Sequence, residues 1–120
     1  MQFHVEQRPD HLFVEVTGPF TIEAARALVD QMGTLVRAGT ANRILVDARG
    51  LAKPVSIADR FDIGAYLASL QLPGRIAVVV GDEQMFTKTL EHTAVNRGAP
   101  FRTTTRMEEA LTFLGLPASG

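Results

Sequence analysis

Apolar and polar residues alternate from the start of the chain, with Phe3, Val5, Leu12, Val14 and Val16 placed on either side of Arg8-Pro9-Asp10-His11. A period of two is that of a half-buried strand. Pro followed by Asp between two such runs predicts a tight turn. Folding the pair about that turn sets Val5 opposite Val14 and His4 opposite Glu15. Phe3, Val5, Val14 and Val16 then share one face, and His4, Glu6 and Glu15 the other. Gly18-Pro19-Phe20 breaks the pattern, and Thr21 is placed to cap a helix from Ile22 to about Ala38. Ala25, Leu28, Val29, Met32, Leu35 and Val36 form its single apolar stripe. Arg37 suits its last turn, and Gly39 suits the left-handed position after it.

The stretch from Arg43 to Ser56 organises the chain. Ile44, Leu45 and Val46 do not alternate, which predicts a strand buried on both faces. The apolar run breaks at Asp47 and passes into a loop bearing Gly50 and Pro54. Ser56 then opens a helix to about Gln71, with Asp59 three residues on as in a capping box. This helix carries two apolar stripes. Ile57, Phe61, Ala65, Ala68 and Leu72 are expected to cover the sheet, while Ile63, Tyr66, Leu67 and Leu70 line a face roughly opposite. That second stripe is a candidate surface for a partner or a ligand, or else is covered within the monomer.

Leu72-Pro73-Gly74 ends the helix, and Arg75-Ile-Ala-Val-Val-Val-Gly81 predicts a second buried parallel strand. Asp82 is placed to cap a helix to about Arg97, with Phe86, Leu90, Thr93 and Ala94 inward and Gly98 at its end. Phe101 to Thr104 alternates weakly, as an edge strand does. Thr105-Arg-Met-Glu108 has the form of a capping box for a last helix, whose inner side is Met107, Ala110, Leu111 and Leu114. Gly115-Leu-Pro117 stops it, and the residues after Leu114 are expected to form a frayed tail. The order is β-β-α-β-α-β-α-β-α, which predicts one α/β domain over residues 1–120. Its mixed, mostly parallel five-stranded sheet carries about four helices.

Composition narrows the function classes. The chain has 120 residues, 46% apolar and 21% charged, with a formal net charge of -1 and no cysteine. Disulfides and thiolate chemistry are excluded, and no long-range field draws nucleic acid. The N-terminus lacks the basic and apolar segments of a signal peptide. No run approaches the roughly 18 apolar residues of a membrane span. A cytosolic protein of bacterial type is expected, and no cofactor is called for.

Candidate chemistry gathers at the strand ends, where open α/β sheets place their sites. Asp47, Arg49 and Ser56 surround the exit of the first buried strand, and Asp82 follows the second. Asp82 and Ser56 each have a plain role as helix caps, and Arg49 has one as the ion-pair partner of Asp47. Against those roles, Asp47, Arg49 and Asp82 are candidates for an anion or partner loop. Ser56 is a candidate phosphoacceptor, because a helix N-terminus stabilises an added phosphate. The three histidines are scattered. His4, Glu6 and Glu15 suit a solvated strand face better than a metal site, and no nucleophile with its base is visible.

Three segments resemble the STAS domain family, in its SpoIIAA-like branch, which is itself similar in fold to CRAL-TRIO lipid-binding domains. They are Ile44-Leu-Val-Asp47, Arg75 to Gly81, and the ending from Phe101 to Leu114 with its acidic Ala-Leu step and terminal Phe113-Leu114 pair. The resemblance implies a non-catalytic regulatory module acting through a protein partner or self-association. Counting from Asp47, Ser56 falls near the serine that is phosphorylated in anti-sigma-factor antagonists. Val55 stands where that motif has an acid, and Ile57-Ala58 where it has Ser-Gly. The CRAL-TRIO likeness implies an alternative, a carrier of a small apolar, lipid-like ligand. A phosphotransfer receiver fits in length, but Val16-Thr17-Gly18 and Thr103-Thr104-Thr105 stand where receivers need an acidic pair and a lysine.

Overall fold

The computed structural model describes residues 1–39, 42–52, 56–81 and 101–117. In chain order these contain β1 (Gln2–Gln7), β2 (Leu12–Gly18), α1 (Ile22–Arg37), β3 (Arg43–Leu51), α2 (Ile57–Ser69), β4 (Arg75–Val79), β5 (Phe101–Thr104) and α3 (Met107–Leu114). The helix expected from Asp82 to Arg97 lies outside the described residues. The five strands form one sheet in sequence order, β1 antiparallel to β2 and the rest parallel. The chain is therefore an α/β domain with a mixed, mostly parallel sheet.

The steps from β2 to β3 and from β3 to β4 run the same way along the sheet. Right-handed crossovers then place α1 and α2 on one face. Leu12, Val14, Val16, Ile44, Val46, Ile76 and Val78 line that face, against Leu28, Val29 and Met32 of α1 and Ile63 and Leu67 of α2. On the other face Leu45, Ala77 and Val79 pack against Ala110, Leu111 and Leu114 of α3. β3 and β4 are thus covered on both sides, the physical reason their apolar runs do not alternate. The hairpin adopts the register that alternation demands, with Val5 opposite Val14 and His4 opposite Glu15.

The chain is not frayed directly after Leu114, because Leu116 is buried with Leu45, Val79 and Leu114 and its N–H donates to the Leu111 carbonyl at 2.9 Å. Three further local readings need correction. β3 does not stop near Asp47. β2 is long enough to pair Thr17 and Gly18 with Gly50 and Leu51, so the strand continues past the last residue of β4. The last helix has no capping box at Thr105: its N-cap is Arg106, without a side-chain cap. Thr104, held at the end of β5, takes over instead. Its hydroxyl accepts from the Arg106 N–H at 3.1 Å and donates to Glu109 at 2.8 Å.

The third correction concerns α2, whose inner face takes Ile63 and Leu67 together with Ala68 of the expected stripe, while Ile57 and Phe61 are left outside. Ile63 and Leu67 are 8% and 4% exposed, in the core, whereas Ile57 and Phe61 are 69% and 51% exposed. Tyr66 and Leu70, half-buried, pack against the same core. The reason is that α2 must meet the sheet and α1 together. Gly33 of α1 leaves room for Leu70, Arg37 donates to the Leu70 carbonyl at 3.1 Å, and the Tyr66 hydroxyl donates to Asp30. Arg26 completes the seam, reaching Asp62 at 2.7 Å and lying over the Tyr66 ring.

Candidate functional site

Asp47 and Arg49 are two residues apart on β3, so they project from the same face of the sheet. The Arg49 guanidinium grips the carboxylate with both arms, Nε to Oδ1 at 2.9 Å and Nη2 to Oδ2 at 2.8 Å. The Arg49 N–H adds a contact to Oδ1 at 3.2 Å. These hydrogen bonds hold the Asp47 carboxyl below its usual range and raise Arg49. Asp47 is the more enclosed partner, its side chain 14% exposed against 52% for Arg49. The plain role of Arg49 as ion-pair partner of Asp47 is the one its geometry displays. Asp82 lies outside the described residues.

Ser56 is the N-cap of α2. Its backbone is extended, its Oγ accepts from the Asp59 N–H at 3.1 Å, and its carbonyl accepts from the Arg60 N–H at 2.9 Å. The expected cap is present, and the residue remains exposed. Asp59 in the first turn complements the positive end of the helix. An exposed hydroxyl thus stands beside N–H groups suited to an anion, with the exposed Ile57 next to it.

Of the stripe Ile63, Tyr66, Leu67 and Leu70, the first and third are core, and Tyr66 and Leu70 are half-buried against it. Two of its members, Ile63 and Leu67, line an apolar cavity of about 60 Å³ with Leu28, Met32, Val46 and Phe101. That is under half of a cavity of about 150 Å³ that holds a single benzene, so the space is small for a lipid-like ligand. His4, Glu6 and Glu15 form no ligand set, and Glu6 faces Arg8 at 3.6 Å. Among the described residues no group of three or more histidine or acidic side chains is placed to hold a metal ion. None of the helices among them is long and apolar enough to cross a membrane.

Two features of α2 are hidden from sequence reasoning. Periodicity assigns Ile57 and Phe61 to the core, and it does not single out Arg60, which is only 6% exposed. The signal for Arg60 is its spacing of three and four from Ile63 and Gly64, legible only once that stripe is known to face inward.

No family model matches the sequence, and no curated protein matches it. Among solved structures, the chain is similar to an anti-sigma factor antagonist from Mycobacterium paratuberculosis. The match has a TM-score of 0.61 and 20% identity, and covers 95% of this chain and 93% of that one. The fold is STAS-like, of the SpoIIAA kind. At that identity the likeness is one of fold. It also separates the STAS-like domain from a receiver, whose doubly wound sheet runs 2-1-3-4-5, whereas here the order is sequential with an antiparallel first strand.

Proposed function

We propose that this STAS-like domain is a non-catalytic regulatory module that binds a protein partner, an anti-sigma factor, through the N-terminal end of α2. The observation that carries the reading is the near-full-length fold match to an anti-sigma factor antagonist. The site supports it. Ile57 and Phe61, 69% and 51% exposed and one helical turn apart, present apolar side chains near the capping hydroxyl of Ser56, and aromatic residues are enriched at interfaces.

Ser56 is the phosphoacceptor in this reading. A phosphoryl group there would replace a neutral cap by a dianion beside Asp59, changing the charge of the surface that Ile57 offers. The enclosed Asp47–Arg49 pair braces the strand that leads to this end and takes no part in chemistry.

Purified protein would be titrated calorimetrically against the anti-sigma factors encoded in its source genome. Binding should fall at least about tenfold in Ile57→Asp, equivalent to about 1.4 kcal/mol, with the thermal midpoint little changed. Incubation with a partner of kinase type and ATP should label Ser56, and Ser56→Ala should abolish the label. Absence of binding to every such factor, or unchanged affinity in Ile57→Asp, would overturn the interaction reading. Binding without labelling would overturn the phosphoacceptor alone.

A further inference from the structure

The net charge of -1 hides a separation of charge along the strands. Among the described residues the exposed and half-buried arginines fall into two groups. Arg8, Arg26, Arg49 and Arg106 are each ion-paired with a carboxylate. Arg37, Arg43, Arg75 and Arg102 are not, and all four stand at one end of the molecule. Arg37 closes α1, Arg43 opens β3, Arg75 opens β4, and Arg102 is the second residue of β5. The crossover from β2 to β3 returns the chain to the start of the parallel strands, so the C-terminal end of α1 lies there too. The opposite end carries acids, with Glu23, Asp59, Glu108 and Glu109 in the first turns of α1, α2 and α3.

Three of these arginines share a face. Arg43 and Arg75 are Cα partners, two residues before Leu45 and Ala77, which pack against α3. Arg102 is the partner of Ala77 on the next strand. All three therefore project from the α3 side. Like charges directly opposite on neighbouring strands destabilise a sheet, and little in the protein offsets the meeting of Arg43 with Arg75. Arg75 donates from Nη1 to the Phe113 carbonyl at 2.7 Å, at the end of α3, and Arg37 donates to the Leu70 carbonyl at the end of α2. Such helix ends carry only about half a negative charge. Arg43, half-buried, and Arg102, exposed, have no such role. Asp10, an acid within electrostatic reach of Arg43, is hydrogen-bonded to His11 at 2.6 Å.

We propose that Arg43, Arg75 and Arg102 form a docking surface for an acidic, extended segment of a protein partner. A guanidinium matches a carboxylate through two parallel hydrogen bonds. The three arginines span β3 to β5, about 10 Å at roughly 4.8 Å per strand. An extended segment with acids at alternate positions presents a carboxylate about every 6.6 Å along one side, so two or three of them cover the surface. The occupant is a peptide and not a nucleic acid. A surface this short neutralises only a few phosphates, and the net charge of -1 adds no attraction beyond it. The surface lies at the opposite end from Ser56 and Ile57, and it is independent of the reading of α2.

Fluorescence anisotropy of the full chain with a labelled peptide of alternating Glu and Gly tests the proposal. The same peptide with Gln for Glu, and a single-stranded oligothymidylate of equal length, serve as comparisons. Saturable binding of the acidic peptide is expected, weakening as salt is raised. Arg43→Gln and Arg102→Gln should each raise its Kd about threefold, the range of an exposed ion pair, and together about tenfold. Arg106→Gln removes an equal charge from the other end and should leave the Kd unchanged. Amide NMR shifts on adding the peptide should move at the starts of β3, β4 and β5. No binding of the acidic peptide, equal binding of the Gln peptide, or an equal loss in Arg106→Gln would overturn the proposal. Tighter binding of the oligothymidylate would overturn it too, by making the surface one for nucleic acid.

Discussion

Gly74→Ala is the substitution whose cost the structure fixes most directly. Gly74 joins α2 to β4 with φ +94°, and a Cβ there would lie 1.7 Å from the Asn42 carbonyl oxygen and 2.6 Å from its carbon. A left-handed backbone costs a non-glycine residue roughly 1–3 kcal/mol. The contact is a second and larger obstacle, because relieving it requires the start of β3 or β4 to move by more than about 1 Å. That movement also strains the hydrogen bond from the Arg75 N–H to the same carbonyl, 2.9 Å long, worth about 1 kcal/mol. Backbone and hydrogen bond together come to about 2–4 kcal/mol before the contact is counted, so the total exceeds about 3 kcal/mol, a large part of the roughly 5–15 kcal/mol that holds a typical domain together. Gly39→Ala isolates the backbone contribution, since Gly39 has φ +79° and nothing within 4 Å of the added Cβ. It should cost only about 1 kcal/mol. Urea unfolding followed by far-ultraviolet circular dichroism measures both, with equal slopes required for the comparison. Equal losses in the two variants would refute the argument that the close pass against Asn42 demands glycine.

Arg49→Met should lower stability near neutral pH by at most about 1 kcal/mol, because one partner of the pair is half exposed. The folded Asp47 carboxyl lies below its ordinary 3.8, so its contribution is present above that pH and lost as pH falls through the folded value. The gap between wild type and variant should narrow in acid, and a constant gap would exclude the pair as its source. Ser56→Ala should cost about 1 kcal/mol through loss of the α2 cap, and Ser56→Asp, also a good cap, should cost less. Thermal melts of the two variants compare them. Leu67→Asp should abolish cooperative unfolding, because a carboxylate replaces a side chain 4% exposed without a partner. A folded Leu67→Asp protein would show that the inward assignment of that stripe is wrong.

The sequence by itself determined what depends on local geometry and period. Alternation about Arg8–His11 specified the hairpin register, since a slip of one residue would turn Val5 and Val14 outward. The unbroken apolar runs of β3 and β4 specified strands covered on both sides, and Thr21 and Ser56 specified two helix starts. Tertiary structure decided matters in which several elements compete. Both stripes of α2 are apolar enough to be buried, and only simultaneous contact with the sheet and with Gly33 of α1 selects Ile63, Leu67 and Leu70, leaving Ile57 in solvent. The length of β3 depends on how far β2 runs beside it, which carries Arg49 from an expected loop onto the strand that holds Asp47. Hydrophobic periodicity states which residues can be inside. Packing against neighbours distant in sequence decides which of them are, and so which residues remain to meet a partner.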